Sequence, residues 1–406
     1  MRFVFTVQLW YLGGFVPYCR NLAAGLRNRG HEVSLLVLPD SRSNLRKVTK
    51  EPFDQCVRMP RGVSRLAYHV KRVVREIDRL KPDVLMLKDS PYAMAALPYI
   101  HRAIIRTPVI SSLWPNEVEL GLSNPEWWDR VVSVSEFVAK AVTSRGLGSR
   151  VSVCASGVPV PSASREQQRE RRRSPIHIIS AGRIVVYHKR MDRLPAIGKI
   201  LAERGVNYYW TVLGDGDYLP ELRQELSRLG LQDRFNLKGS VPQSAVLDAL
   251  EQADVLVMPS DSEGLPQALL EAMARGVVPV VSRITGSTTC AVQHGVSGFL
   301  CEPSQPAEFA NAINELASNP SLRCGIGTKA AEIIARDFSL DAFTERFLAI
   351  IGEIRSRGIV RPHPLALSEV SGGRKSFRCL GFWRSLRHQT LGQMKRWVLG
   401  AKEHPI

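Results

Sequence analysis

The sequence predicts two α/β units, each built on a parallel sheet wound on both faces by helices, followed by a basic tail. Three observations predict it. Short apolar runs alternate with helical patterns along most of the 406 residues, which is the signature of successive strand–helix–strand units. The alternation stops at 161–174, a polar, Arg-rich stretch without periodicity, and then restarts, which marks a linker between two units. Past residue 354 the pattern ends and Lys and Arg accumulate. The expected division is therefore 1–160, a linker at 161–174, 175–354, and a tail at 355–406.

In the first unit the apolar runs place strands at 2–7, 32–38, 83–87, 108–112, 131–134 and 151–154, with helices such as 15–29 and 64–80 between them. Residues 3–19 are uncharged and could pass for a secretory leader. Gln8 and Gly13-Gly14 interrupt that run, and the next stretch continues it smoothly as helix, Gly stop and strand, so a strand, a Gly-rich loop and a helix are expected. In the second unit strands are expected at 176–181, 208–213, 234–237, 254–258, 278–281 and 298–301. Helices are expected at 191–203, 243–252, 266–275, 306–317, 321–336 and 340–354. No segment reaches 18 apolar residues, so no membrane span is predicted. No short period repeats, which excludes a solenoid.

Hydrophobic residues at 44% and charged residues at 23% suit a chain with a large core, not a disordered one or a small disulfide scaffold. Lys plus Arg number 55 against 38 Asp plus Glu, a net charge of +17. Eleven basic and two acidic residues fall at 355–406, so nine of those charges belong to the tail. Such a balance points to anionic partners: nucleotides, nucleic acid or anionic lipid. The seven cysteines form no C-x-x-C pair, which argues against a zinc site and fits a reducing, cytoplasmic compartment.

In open parallel sheets, ligands sit beyond the carboxyl ends of the strands. With two such units, the expected site is the cleft between them. Ser260 to Ala274 follows the apolar run Val255-Leu256-Val257-Met258. Pro266 suits the first turn of a helix, whose free N–H groups would face an anion. Glu271 lies six residues past Leu265, roughly 9 Å along the axis, where a carboxylate can accept from both hydroxyls of a ribose diol. Glu263 at the helix mouth would face whatever is attached to the phosphates. The plain alternative is an ordinary helix with one exposed Glu. After the strand ending at Gly182 come Arg183, Lys189 and Arg190, placed to bind and neutralise a pyrophosphate; the plain alternative is a solvated basic loop. Gly13-Gly14 after the first strand allow close backbone approach, although they make no dinucleotide fingerprint. Asp215-Gly216-Asp217 has the look of a metal-binding Asp-x-Asp, but its place between strand and helix favours a turn and an N-cap. Gly325-Ile326-Gly327-Thr328-Lys329 lies inside a helical pattern and lacks phosphate-loop spacing.

Together these residues resemble glycosyltransferase family 4, whose members have the GT-B fold of two Rossmann-like domains facing across a cleft. Glu263 and Glu271 match the family's E-x7-E, flanked by 269–276 and 279–282. Gly182-Arg183 with Lys189-Arg190 matches its donor-phosphate pair, and Leu213-Gly214-Asp215-Gly216 matches its GDG segment, which argues against a metal. Segment 237–241, ending at Val241, matches the part that lines the base, and 295–300 matches a further family segment. Gly13-Gly14 and 29–33 match the amino-terminal half. Two departures stand out. Segments 87–90 and 111–117 lack the His that members commonly carry, and Ser156 replaces the Asn before Gly157-Val158.

The resemblance implies a retaining transferase that uses a nucleotide-sugar donor and a glycan or lipid-linked acceptor, in glycan, polysaccharide or glycolipid biosynthesis. Glu263, Arg183 and Lys189 would act at the reacting centre. Glu271, Gly264, Leu265, Gly13, Gly14, Gly182, Gly214 and Val241 would bind the donor, with no metal and no cofactor beyond the nucleotide-sugar substrate. The same fold would also serve a sugar-nucleotide epimerase or a non-catalytic binding subunit. In the tail, Phe377, Leu380, Trp383, Leu386, Met394 and Trp397 recur at mostly three- or four-residue spacing among basic residues. Residues 374–402 could then dock peripherally on an anionic membrane. No nucleic-acid module accompanies them.

Overall fold

The computed structural model describes residues 1–7, 15–38, 52–58, 66–88, 93, 96–99, 106–113, 127–144, 148–161 and 175–360. Two parallel sheets organise the chain. The first contains β1 (Arg2–Val7), β2 (Glu32–Val37), β3 (Gln55–Arg58), β4 (Val84–Lys88), β5 (Val109–Leu113), β6 (Arg130–Ser133) and β7 (Val151–Val153) in the order β3-β2-β1-β4-β5-β6-β7. The second contains β8 (Ile176–Ala181), β9 (Tyr208–Leu213), β10 (Phe235–Gly239), β11 (Val255–Met258), β12 (Val278–Ser282) and β13 (Phe299–Cys301) in the order β10-β9-β8-β11-β12-β13. The expected two-unit α/β architecture is what the chain adopts.

The strand runs are apolar on both faces because both faces are covered. From β1, Phe3, Phe5 and Val7 pack toward Tyr18, Leu22 and Leu26 of α1 (Phe15–Asn28). Val4 points the other way, toward Val70, Val73 and Ile77 of α2 (Leu66–Leu80). The second unit adds, after the short α3 (Glu136–Val142) of the first, α4 (Arg193–Glu203), α5 (Leu219–Arg228), α6 (Gln243–Gln252), α7 (Gln267–Met273), α8 (Pro306–Ser318) and α9 (Pro320–Asp337). The span 325–329 lies inside α9, where Lys329 pairs with Glu332 at 2.7 Å.

The last helix, α10 (Leu340–Arg357), returns to the first unit. Ser339 caps it, accepting from Ala342 N at 3.2 Å, and Gly358 ends it at φ 75°. Its Phe343 ring lies 5.1 Å from Tyr18, and its Phe347 ring 6.3 Å from Phe3. Arg29 Nη2 reaches Glu345 Oε1 at 2.8 Å. Beside it runs the other crossing between the units, residues 154–161. Val158 N donates to Phe338 O at 2.9 Å, and Val158 forms an isolated parallel bridge with Ser339. A Cβ on Gly157 would collide with the Phe343 side chain and press on Ser339 O, so only glycine allows the two crossings to lie this close.

Strand β3 was not expected, whereas α3 and α5 fall between strands, where the alternation implies helices, α5 just after Asp215-Gly216-Asp217. Helix α5 reads LPELRQELSR, in which Leu222 and Leu226, four residues apart, are the buried positions. All but the first residue of the expected linker (162–174) and the expected tail beyond residue 360 lie outside the described residues, as do Gly13 and Gly14. Among the described residues no helix is long and apolar enough to cross a membrane.

Candidate functional site

The strand order of the second sheet reverses between β8 and β11. Carboxyl ends of strands at such a reversal form the ligand crevice of doubly wound sheets. The loop after β8 holds Gly182, Arg183, Lys189 and Arg190. The loop after β11 holds Ser260, Asp261 and Glu263.

The β8 loop is fixed by its neighbour after β9. Gly182 N donates to Leu213 O at 3.0 Å, Ile184 N to Asp215 O at 3.0 Å, and Tyr218 N to Ile184 O at 3.1 Å. Gly214 sits at φ +132°, and a Cβ there would run into Gly182 O, so no side chain is tolerated at this closure. Asp215 Oδ1 accepts from Gly216 N at 2.8 Å, a local turn. The expected N-cap role fails: Tyr218 occupies the cap of α5 without a side-chain bond, and neither Asp215 nor Asp217 reaches it.

The structure brings Lys189 and Glu263 together across 74 residues of sequence. Lys189 Nζ donates to Glu263 Oε1 at 2.6 Å, with the two side chains 14% and 9% exposed. Ser260 Oγ donates to the same oxygen at 2.8 Å, so both bonds fall on Oε1 and not on Oε2. Arg190 grips Asp192 with Nε at 3.0 Å and Nη2 at 2.8 Å, and reaches Asp261 with Nη1 at 2.9 Å. Arg193 also holds Asp261, at 2.6 Å. Arg190 is thus an internal brace and not a spare phosphate contact. Arg183, on the exposed side of the loop, donates to Tyr187 OH at 3.1 Å and meets His188 Nε2 at 3.0 Å.

Helix α7 is shorter than the expected 266–275, and Pro266 occupies its cap position instead of its first turn. Gly264 and Leu265 are buried at its approach. Glu271 is also buried, at 4% exposure, so the exposed-Glu alternative does not hold. Its Oε1 accepts from Gln243 Nε2 at 2.7 Å, at the start of α6. Burial pushes the carboxyl up to about 7, against the opposing pull of Arg275 and the Gln243 bond. Val241, two residues before Gln243, is partly buried against the core. Gln267 on α7 hydrogen-bonds Ser156 of the interdomain crossing, so Ser156 occupies the interface with α7.

Sequence reasoning missed His188, Ser260, Gln243 and Gln267 as members of this constellation. The first two lie inside loops that directly follow strands, which is a usable signal. Gln243 and Gln267 become visible only once α6, α7 and the crossing are packed.

The family described as Glycosyltransferase Family 4 matches residues 12–161, and the family described as Glycosyl transferases group 1 matches residues 163–333. The chain belongs to the family 4 type of GT-B glycosyltransferases. The second match spans the whole β8–β13 sheet of this glycosyltransferase, with Arg183, Lys189, Glu263 and Glu271. Among curated relatives, alpha-D-kanosaminyltransferase of Streptomyces kanamyceticus is 27% identical over 39% of the chain and 45% of its own length. The amylovoran biosynthesis glycosyltransferase AmsK of Erwinia amylovora is 33% identical over 34% of the chain and 35% of its own length. The chain thus spans less than half the length of these relatives. The Anabaena protein Alr3699/HepE, solved with UDP-glucose, superimposes with a TM-score of 0.71 at 18% identity, over 87% of the chain and 100% of that protein. It supports the GT-B fold.

Proposed function

We propose that this glycosyltransferase moves a sugar from a nucleotide-sugar donor to an acceptor hydroxyl with retention at the anomeric carbon. The observation that carries the reading is the Lys189–Glu263 pair at the β8–β11 reversal, with Arg183 on the same β8 loop. UDP-glucose in the Anabaena neighbour supports a nucleotide-sugar donor, and the amylovoran relative supports a role in polysaccharide biosynthesis.

In the reaction the bond between the sugar's C1 and the phosphate oxygen breaks, and negative charge builds on the departing diphosphate. Arg183 and the remaining Lys189 N–H groups stabilise that charge. Glu263, through Oε2, holds sugar hydroxyls and stabilises positive character at C1. Glu271 accepts from the ribose diol. The acceptor oxygen attacks from the face the leaving group vacates, and its proton passes to the leaving phosphate oxygen. Thermal shift against UDP-, GDP-, ADP- and dTDP-sugars identifies the donor, because a ligand bound to the folded state raises apparent stability. Diphosphate release that depends on an added acceptor is the expected result. Release without an acceptor requirement, or none with any donor, overturns the reading.

With fixed cations serving the diphosphate, turnover is expected to persist in excess chelator. A strict Mg²⁺ or Mn²⁺ requirement, measured by restoring the ion after dialysis, contradicts this.

We also propose that the basic tail holds the enzyme on anionic membrane, near a lipid-linked acceptor. Each Lys or Arg near such a surface contributes about 1 kcal/mol. The full chain should co-sediment with anionic but not neutral vesicles at low salt, and a chain ending at Ile354 should not. Equal behaviour of both chains refutes the anchor.

A further inference from the structure

The cations of the β8 loop differ in what holds them. Lys189 is paired with Glu263, Arg190 with Asp192 and Asp261, and Arg193 with Asp261. Arg183 makes no ion pair with a carboxylate among the described residues. Its two Nη atoms go to Tyr187 OH at 3.1 Å and His188 Nε2 at 3.0 Å. Both acceptors are neutral. The His188 imidazolium is disfavoured first by burial, then by the positive charges of Arg183 and Lys189, with Glu263 opposing. Its pKa falls to about 4. Because Arg183 can only donate, Nε2 must accept and the ring proton must sit on Nδ1.

The difference matters for an anion site. A carboxylate at this position would orient the guanidinium and cancel its charge together. A neutral ring nitrogen orients it and leaves the charge for the ligand. The support is itself anchored: the Tyr187 and His188 rings lie 4.5 Å apart, and Asp261 N donates to His188 O at 2.8 Å, tying the ring's backbone to the β11 loop.

We propose that His188 is a positioning residue for Arg183, holding its guanidinium ready for the donor's pyrophosphate without neutralising it. The inference rests on the reading of Arg183 as a diphosphate group, and the experiment separates the two. Inorganic pyrophosphate, which needs no base pocket, is titrated calorimetrically into the full chain and its variants. Arg183→Ala and His188→Ala should each weaken binding about tenfold, the scale of one hydrogen bond to a charged group. In the Arg183→Ala background, His188→Ala should cost nothing more. His188→Gln, whose amide oxygen can accept from Arg183, should bind like the parent protein. His188→Glu should bind as weakly as Arg183→Ala, although it too accepts from the guanidinium.

Parent-like binding by His188→Ala, an undiminished His188→Ala effect without Arg183, or tight binding by His188→Glu overturns the positioning role. Parent-like binding by Arg183→Ala overturns the underlying reading of the loop as well. Should His188→Ala fail to fold, the near-isosteric Gln and Glu variants carry the test, since they differ in charge and not in size.

Discussion

Arg183→Ala is expected to lower turnover by about 10²–10³, the usual cost of removing one preorganised stabiliser of transition-state charge. Its side chain lies on the exposed side of the β8 loop and offsets no buried carboxylate, so the thermal unfolding midpoint should stay near that of the parent protein. Lys189→Ala behaves differently. It removes a cation from the proposed reacting centre and also strands the buried Glu263 carboxylate at the other end of a 2.6 Å pair. Breaking a buried pair from one side typically costs about 3–5 kcal/mol, so this variant should lose stability along with rate. Diphosphate release and unfolding midpoints, measured on the same preparations, check both. Parent-like turnover in Arg183→Ala, or an unfolding midpoint in Lys189→Ala as high as that of Arg183→Ala, contradicts the assignment.

Glu271→Gln should make the protein more stable above neutral pH while weakening nucleotide binding. The folded carboxyl titrates at about 7 against an ordinary 4.5, so the folded state holds this proton more tightly than the unfolded chain. That contribution to stability is fully present below about pH 4.5 and is lost as pH rises through 7. The separation corresponds to roughly 3 kcal/mol as an upper figure. Glutamine cannot ionise, and its amide oxygen still accepts from Gln243, so the variant escapes the loss. It also gives up the second acceptor oxygen needed by a ribose diol, a change of about ten- to a hundredfold in affinity for one hydrogen bond to a charged group. Urea unfolding of both proteins at pH 5 and pH 8, with nucleotide titrations at pH 8, tests the pair of effects. Identical pH dependence in the two proteins would show that Glu271 carries no such strain. The expected outcome is a site residue kept at a cost in stability.

Much of this site was legible because it lies where strands end. Apolar runs closed by Gly182 and Gly214, with cations or acids just beyond, marked the β8 and β9 loops, and the Glu263–Glu271 spacing marked the β11 loop and its helix. Their partners were not legible. That Lys189 meets Glu263 depends on β8 lying next to β11, which residue spacing does not encode. That Glu271 is buried and meets Gln243 depends on α6 packing against α7. Strand β3, QCVR, is only four residues long and too short to stand out as an apolar run. The cap assigned to Asp215 or Asp217 failed because both lie ahead of Tyr218, the residue from which the helix starts.

The side-by-side crossings at Val158 and Ser339 have a mechanical consequence. One covalent tether would leave the two halves free to swivel, twist and separate. Two crossings bonded to each other, with glycine at the point of contact, hold the halves together along one narrow line. Sliding or twisting of one half against the other breaks the bond between Val158 N and Phe338 O, whereas bending about that line preserves it. Helix α10 is anchored to the first half, where its Phe343 and Phe347 are embedded. A rotation of one half against the other that keeps this bond is expected to turn about the line of the crossings, beside Ser156 and its contact with Gln267.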